Sequence, residues 1–216
     1  MRKVILCALA LMVGTFGFAQ FNDSDVLQIG ILNTSDVDQG GLLNFSDVIQ
    51  VGILNDSDVD QYGAFNYQGT LQVGFANDSR VLQIGAGNAS LVAQVGVVND
   101  SDVLQFGAGN GSAVAQIGLA NDQVTLQIGA GNASTTFQLG AFNGAYILEL
   151  GIGNSSDVAQ IGLANLSLTG QFGFGNDSDV LQLGALNFSA VGQFGLGHSS
   201  TVVQAGLGNV STVTQF

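Results

Sequence analysis

The chain has 216 residues, of which 32 are Gly, none is Pro or Trp, and only 9% are charged. Its formal charge is −13, and beyond Arg2 and Lys3 the sole basic side chain is Arg80. That balance excludes nucleic acid as a partner, because phosphate binding needs Lys and Arg to displace counterions, while a hydrophobic content of 46% excludes an acidic disordered tail.

Residues 1–19 differ in kind from the rest. Arg2 and Lys3 precede an apolar run from Val4 to Val13, and Gly17-Phe18-Ala19 places small residues three and one before a cut ahead of Gln20. This layout predicts a secretory signal peptide over 1–19. A membrane anchor needs about 20 apolar residues, and Gly14 to Gly17 interrupts the run too early. The only cysteine, Cys7, lies inside that leader. The mature chain, 20–216, is therefore expected to be exported, without disulfides and without membrane insertion.

From Asn22 onward the chain is one repeat. Gln28 recurs every eleven residues to Gln215, with Glu149 as the single replacement, and Gly follows two residues after each of the first seventeen, from Gly30 to Gly206. The Asn series from Asn22 to Asn209 is broken only by His198. The unit reads Asn-x-Ser-x-Val-x-Gln-x-Gly-x-x, and such internal repetition governs the fold.

Within the first unit Asn22, Ser24, Val26, Gln28 and Gly30 occupy every second position, so they share one face of a strand. Eleven is odd, so a straight continuation would turn the same residues outward in the next unit. The chain must bend, and the Gly-x-x-Asn segment is expected to supply the arc, through the conformational freedom of Gly and the tolerance of Asn for the left-handed region. From Gly85 the arcs alternate, with Gly87, Gly109, Gly131, Gly153, Gly175 and Gly197 in every second one. The prediction is an all-β solenoid of about nine 22-residue coils, two strands and two arcs per coil.

Two faces compete for the interior. The x positions include Leu27, Ile29 and Ile31 but also Asp23, Asp25, Asp36, Asp38 and Asp60, and unpaired Asp is costly to bury. The Asn/Ser/Val/Gln face is expected inside, where each amide can donate to its equivalent one coil away. Predicted stacking-ladder residues are Asn22, Ser24, Val26, Gln28 and Gly30, then Gln83, Gly85 and Asn88, Gln105, Gly107 and Asn110, and Gln127, Gly129 and Asn132. The Ser, Gln and Asn groups must be hydrogen-bonded if they are inside. Outer apolar rows such as Ile84, Phe106, Ile128 and Leu150 would then read as contact surfaces.

The recurring Gln83-Ile84-Gly85-Ala86-Gly87-Asn88-Ala89-Ser90 segment, repeated over 105–112 and 127–134, resembles the curlin repeat. The resemblance covers the chain from Asn22 to Phe216. It implies secreted extracellular amyloid fibres of a biofilm matrix, assembled from the major type of subunit, with a nucleator subunit and outer-membrane export machinery as partners. Two features depart from the family: no Gly/Asn-rich segment separates the leader from the first repeat, and the last repeat has no basic residue.

Apart from the family, Val213-Thr214-Gln215-Phe216 continues the pattern with no capping motif. The edges at Asn22 and Gln28 and at Asn209 and Gln215 are expected to join copies head to tail into a homopolymer. Asp56, Asp78, Asp100 and Asp122 should form an outward row whose repulsion restrains assembly, and Arg80 should sit between Asp58 and Asp102. The other reading of that row is as ordinary solvated turn positions.

Nothing predicts an enzyme. His198 is the only His and occupies an Asn position, so a Ser-His-Asp arrangement has no basis. Glu149 reads as a ladder Gln replaced, and no cofactor or metal site is expected, the Gly-Gly-x-Gly-x-Asp calcium repeat being absent. A monomeric solenoid presenting a flat face to ice or a cell surface is the alternative reading.

Overall fold

A computed structural model describes residues 21–216; the predicted signal peptide and Cys7 lie outside the described residues. Each repeat unit forms a nine-residue strand, from β1 (Asp23–Ile31), β2 (Thr34–Leu42), β3 (Phe45–Ile53) and β4 (Asp56–Ala64) on to β17 (Ser199–Leu207) and the shorter β18 (Val210–Gln215). Odd-numbered strands stack as one nine-stranded sheet, and even-numbered strands as a second. All pairings are parallel and in register at a spacing of 22 residues, so Gln28 lies beside Gln50 and Gly30 beside Gly52. The chain is an all-β solenoid of about nine coils.

The buried parity is Asn, Ser, Val and Gln. Val48, Val59, Val81 and Val103 are fully buried between the sheets, and so are Gln50, Gln61 and Gln83. Thr70, Thr125, Thr136 and Thr169 also point inward, unavailable to an outer binding face. Alternation of a short apolar residue with polar ones leaves a thin core, so coil-on-coil hydrogen bonding has to complement a modest apolar burial.

The arcs differ from the sequence expectation. Asn is not the left-handed residue. The one before it is, whether Gly, as at Gly87 (φ 66°) and Gly109 (65°), or not, as at Leu32 (57°), Phe65 (58°) and Ala120 (50°). A left-handed non-Gly residue costs roughly 1–2 kcal/mol, and the arc offsets it by extending the ladder through the bend: the Leu54 amide donates to the Ile31 carbonyl at 3.0 Å, and the Asp56 amide to the Asn77 carbonyl at 2.8 Å. Gly208, at 68°, also breaks the strict alternation of arcs at the last bend.

Candidate functional site: the stacked ladders and the solenoid ends

The Gln column does more than stack. Gln83 Nε2 donates to Gln105 Oε1 at 2.8 Å, Gln105 Nε2 to Gln127 Oε1 at 2.8 Å, and the second Nε2 hydrogen of each crosses to the opposite sheet, from Gln83 to the Tyr67 carbonyl at 3.0 Å and from Gln105 to the Ala89 carbonyl at 2.9 Å. Each amide is thus both a rung along the axis and a tie between sheets. The Asn column instead satisfies the arcs. Asn110 donates its backbone amide to Asn88 Oδ1 at 3.1 Å, and Nδ2 to the carbonyls of Phe106 and Gly129. Asn132 repeats this with Asn110 and Gly151. A side chain of this length and planarity reaches three groups that the bend would otherwise leave unpaired.

The Ser column departs from the expectation that every inward polar group is paired. Hydroxyls of Ser57, Ser79, Ser90 and Ser156 have no partner among the described residues. Ser134 Oγ reaches Ser112 Oγ at 3.2 Å and Ser200 Oγ reaches Ser178 Oγ at 3.5 Å, but a hydroxyl on one carbon does not readily span the roughly 4.8 Å between strands. Where Gln replaces Ser the longer arm does: Ser46 Oγ donates to Gln68 Oε1 at 2.9 Å, Ser101 Oγ to Gln123 Oε1 at 3.0 Å. Each of these Gln residues also bonds a Thr two positions on, Thr70 and Thr125, at the position usually held by Val.

The predicted ladder glycines are not in the core. Gly30 and Gly107 are exposed, and Gly85 and Gly129 are partly so, at the corner where φ is near +130°, two residues before the left-handed position of the arc. Each sheet has its own glycine column in backbone contact: a Cβ on Gly30 would lie 1.7 Å from the Gly52 carbonyl oxygen in the odd sheet, and in the even sheet one on Gly85 would lie 1.8 Å from that of Gly107 and one on Gly107 1.8 Å from that of Gly129.

Glu149 lies fully buried in β12 (Gly144–Ile152), between β10 (Asp122–Ala130) and β14 (Leu166–Phe174). Gln127 Nε2 donates to its Oε2 at 2.8 Å, while its Oε1 and the Oε1 of Gln171 both have no partner among the described residues. Burial pushes its carboxyl up to about 8, against the opposing pull of the Gln127 bond.

The structure brings Asp56, Asp78, Asp100 and Asp122 side by side on the even sheet. Burial, and then the neighbouring carboxylates Asp102, Asp78 and Asp122, raise the Asp100 carboxyl to about 6. Asp78 is raised for the same reasons, burial first and then Asp56. Arg80 sits between Asp58 and Asp102 at 3.8 and 3.6 Å, an exposed arrangement worth under about 1 kcal/mol. His198 keeps the Asn role in part: its backbone amide donates to Asn176 Oδ1, and its Nε2 lies 3.1 Å from the Phe194 carbonyl.

The end residues fall into two groups. In β1, Ser24, Val26 and Gln28 are exposed, Val26 by 48%, because among the described residues that strand has a neighbour only on the β3 side. Asn22 Nδ2 bonds the Gln39 carbonyl, and Gln28 Nε2 bonds Gln50 Oε1 at 2.8 Å. At the other end Asn209 caps the Asn column on Asn187, while Gln215 accepts from Gln193 and donates to the Ser199 carbonyl. Acids cluster at the first end, with Asp23, Asp25, Asp36 and Asp38; the facing positions of β17 and β18 are Ser199, Thr201, Thr212 and Thr214.

Among the described residues no cluster of three or more His, Cys, Asp or Glu could hold a metal, and no helix is long and apolar enough to cross a membrane. Comparison with protein-family models and with curated proteins gives no match to this chain.

Proposed function

We propose that this chain is the structural subunit of a secreted, self-assembling fibre, joined head to tail, with roles in adhesion and in an extracellular matrix of the curli type. The observation that carries the reading is that each end of the solenoid repeats the register of its interior. Extending that register by one coil sets Val26 of a second copy on Val202, Gln28 on Gln204, Gly30 on Gly206 and Asn33 on Asn209. The Gln and Asn columns then continue across the joint, and the flanking backbone groups gain the partners that an edge strand lacks. Charge favours this polarity over the reverse: Asp25 meets Thr201 and Asp36 meets Thr212, whereas two first ends would bring acids onto acids. The repeat's resemblance to curlins supports the same reading, with a nucleator subunit and an outer-membrane exporter as further partners. In this reading the protein has no catalytic role.

Gly206→Ala tests the joint. In the single chain a Cβ there meets nothing closer than Asn209 Nδ2 at 3.5 Å, so the cost is confined to strain at φ +121°. In the extended register it would meet the Gly30 carbonyl of the next copy as tightly as a Cβ on Gly184 meets Gly206, at 2.1 Å. Wild-type protein released from denaturant is expected to grow unbranched fibres with a 4.7–4.8 Å meridional repeat, visible by electron microscopy. Gly206→Ala should retain β-rich circular dichroism and lose growth at that end. A wild-type chain that stays single for days would overturn the fibre reading.

Acid should speed growth. The carboxyls of Asp60, Asp78, Asp100 and Asp102 are raised in the fold, chiefly by burial, so the folded chain holds protons that the unfolded chain has released. Their contribution is most favourable at low pH and is lost as pH rises, for Asp100 between about 4 and about 6. Seeded growth rates are expected to be higher at pH 4.5 than at pH 7, and equal rates would remove the acids from the control of assembly.

A further inference from the structure

We infer that the outer face of the odd-numbered sheet is a lateral docking surface for a second copy of this chain, packed with its solenoid axis antiparallel. Three independent features point there, and none depends on fibres forming.

The first is charge. Nine Asp side chains point out from the even sheet, including the full row from Asp56 to Asp122. On the odd sheet acids are confined to the ends, at Asp23, Asp25 and Asp47 and at Asp157, Asp177 and Asp179. For a chain of charge −13, this is the face on which two copies meet with least repulsion, leaving both acidic sheets in water.

The second is extent. Nine strands at roughly 4.8 Å give a length of about 40 Å, and six or seven residues across give about 20 Å, so each copy offers about 800 Å². A standard stable interface needs that much per partner. The surface is aliphatic along entire columns. The one through Ile117 runs from Ile29 to Ala205 without a polar residue, and Val95, Ile117, Leu139 and Ile161 are each close to 40% exposed.

The third is shape. The neighbouring column carries a ridge and two dents. Ala93 and Ala115 floor a dent of about 440 Å³ bounded by Leu71 and Phe137, and a second of about 310 Å³ lies between Phe137 and Leu181 over Ala159. Ala115 belongs to the middle strand of the nine. A two-fold axis through it, parallel to the strands, overlaps the two sheets along their whole length. It sets Phe137 of each copy over Ala93 of the other, and Leu71 over Ala159, so each ridge enters a dent. With parallel axes in the same overlap, Phe137 would meet Phe137. The one acid-on-acid opposition is Asp47 with Asp179 near the rim, so added salt should tighten the pair.

The test uses the full chain with Cys7→Ser and Ala115→Cys, treated with a short bismaleimide within minutes of dilution to micromolar concentration. Cross-linked dimer is expected, because the two Ala115 positions face each other on the axis. Copies joined end to end hold them about 40 Å apart, so the cross-link reports lateral pairing whether or not fibres grow. Phe137→Ala should reduce the cross-linked fraction at least tenfold, and Ala93→Phe/Phe137→Ala, which exchanges ridge and dent, should restore it. Sedimentation velocity and circular dichroism on the same variants separate lost pairing from lost fold. No cross-link with a single sedimenting species, as expected if the dents hold an apolar ligand or another macromolecule, overturns the inference. A cross-link indifferent to Phe137→Ala, or a swap that fails to restore it in a folded protein, overturns it as well.

Discussion

Gly107→Ala is expected to break the solenoid at its middle, whereas Gly109→Ala, two residues further along, is expected to leave it folded. At Gly107 (φ +127°) an added Cβ would stand 1.8 Å from the Gly129 carbonyl oxygen, which is backbone of the adjacent coil and is itself held in the ladder. Relief requires separating two coils by more than 1 Å, a shift shared with the neighbouring backbone bonds and with the rungs Gln105–Gln127 and Asn110–Asn132. Strain at a special backbone angle together with a broken network places the cost at about 4 kcal/mol or more. At Gly109 (φ +65°) nothing lies within 4 Å of the added carbon, and equivalent arc positions already hold Leu32, Ala76 and Phe142 in the same conformation. The cost there is about 1–2 kcal/mol, that of a left-handed Ala. Denaturant midpoints and amide exchange of the two variants check the contrast, and equal stabilities would mean that the glycine column does not set the coil spacing.

That contrast shows what the sequence made legible and what it withheld. The step of eleven and the recurrence at every second position expose the strand, its inward face and the solenoid, because both periods follow from backbone geometry alone. The row from Asp56 to Asp122 and the site of Arg80 follow equally from 22-residue addition. The two Gly columns look alike in sequence, yet one turns at +130° against a neighbour's backbone and the other is an open left-handed corner that Leu or Phe also fills. Occupation of that corner by Gly87 in one coil and Leu32 in another was the available signal, since equivalent positions must share a conformation. The cross-sheet bonds of Gln83 and Gln105 had no signal, because they depend on how the two sheets are offset. Whether a serine hydroxyl is paired, as at Ser134 and Ser112, or unpaired, as at Ser57 and Ser79, turns on how a short side chain meets one strand spacing, which alternation does not measure. The dents over Ala93, Ala115 and Ala159 appear only when residues 22 apart are set side by side.

Glu149→Gln is expected to stabilise the chain, and to do so more strongly as pH rises. In the unfolded chain a Glu carboxyl releases its proton near 4.5; in the solenoid burial holds that of Glu149 until about 8. Between these values the folded state binds the extra proton, so stability falls with rising pH by up to about 1.4 kcal/mol per unit, and the loss levels off once the folded carboxyl has ionised. The penalty is on the order of 3 kcal/mol at pH 7 and 5 kcal/mol above pH 8. Geometry gives the proton a place: on Oε1 it supplies the donor that Gln171 Oε1 lacks, while Oε2 continues to accept from Gln127. Ionised, the carboxylate is acceptor-only and faces the Gln171 oxygen unpaired. A Gln at 149 has an amide to donate at every pH and restores the rung that every other unit makes. Denaturant midpoints of wild type and Glu149→Gln between pH 4 and pH 9 should converge at the acid end, separate from about pH 5 to about pH 8 and then run parallel. Parallel curves across that range would show that Glu149 carries no proton-linked cost, and that the column tolerates a charge at its centre.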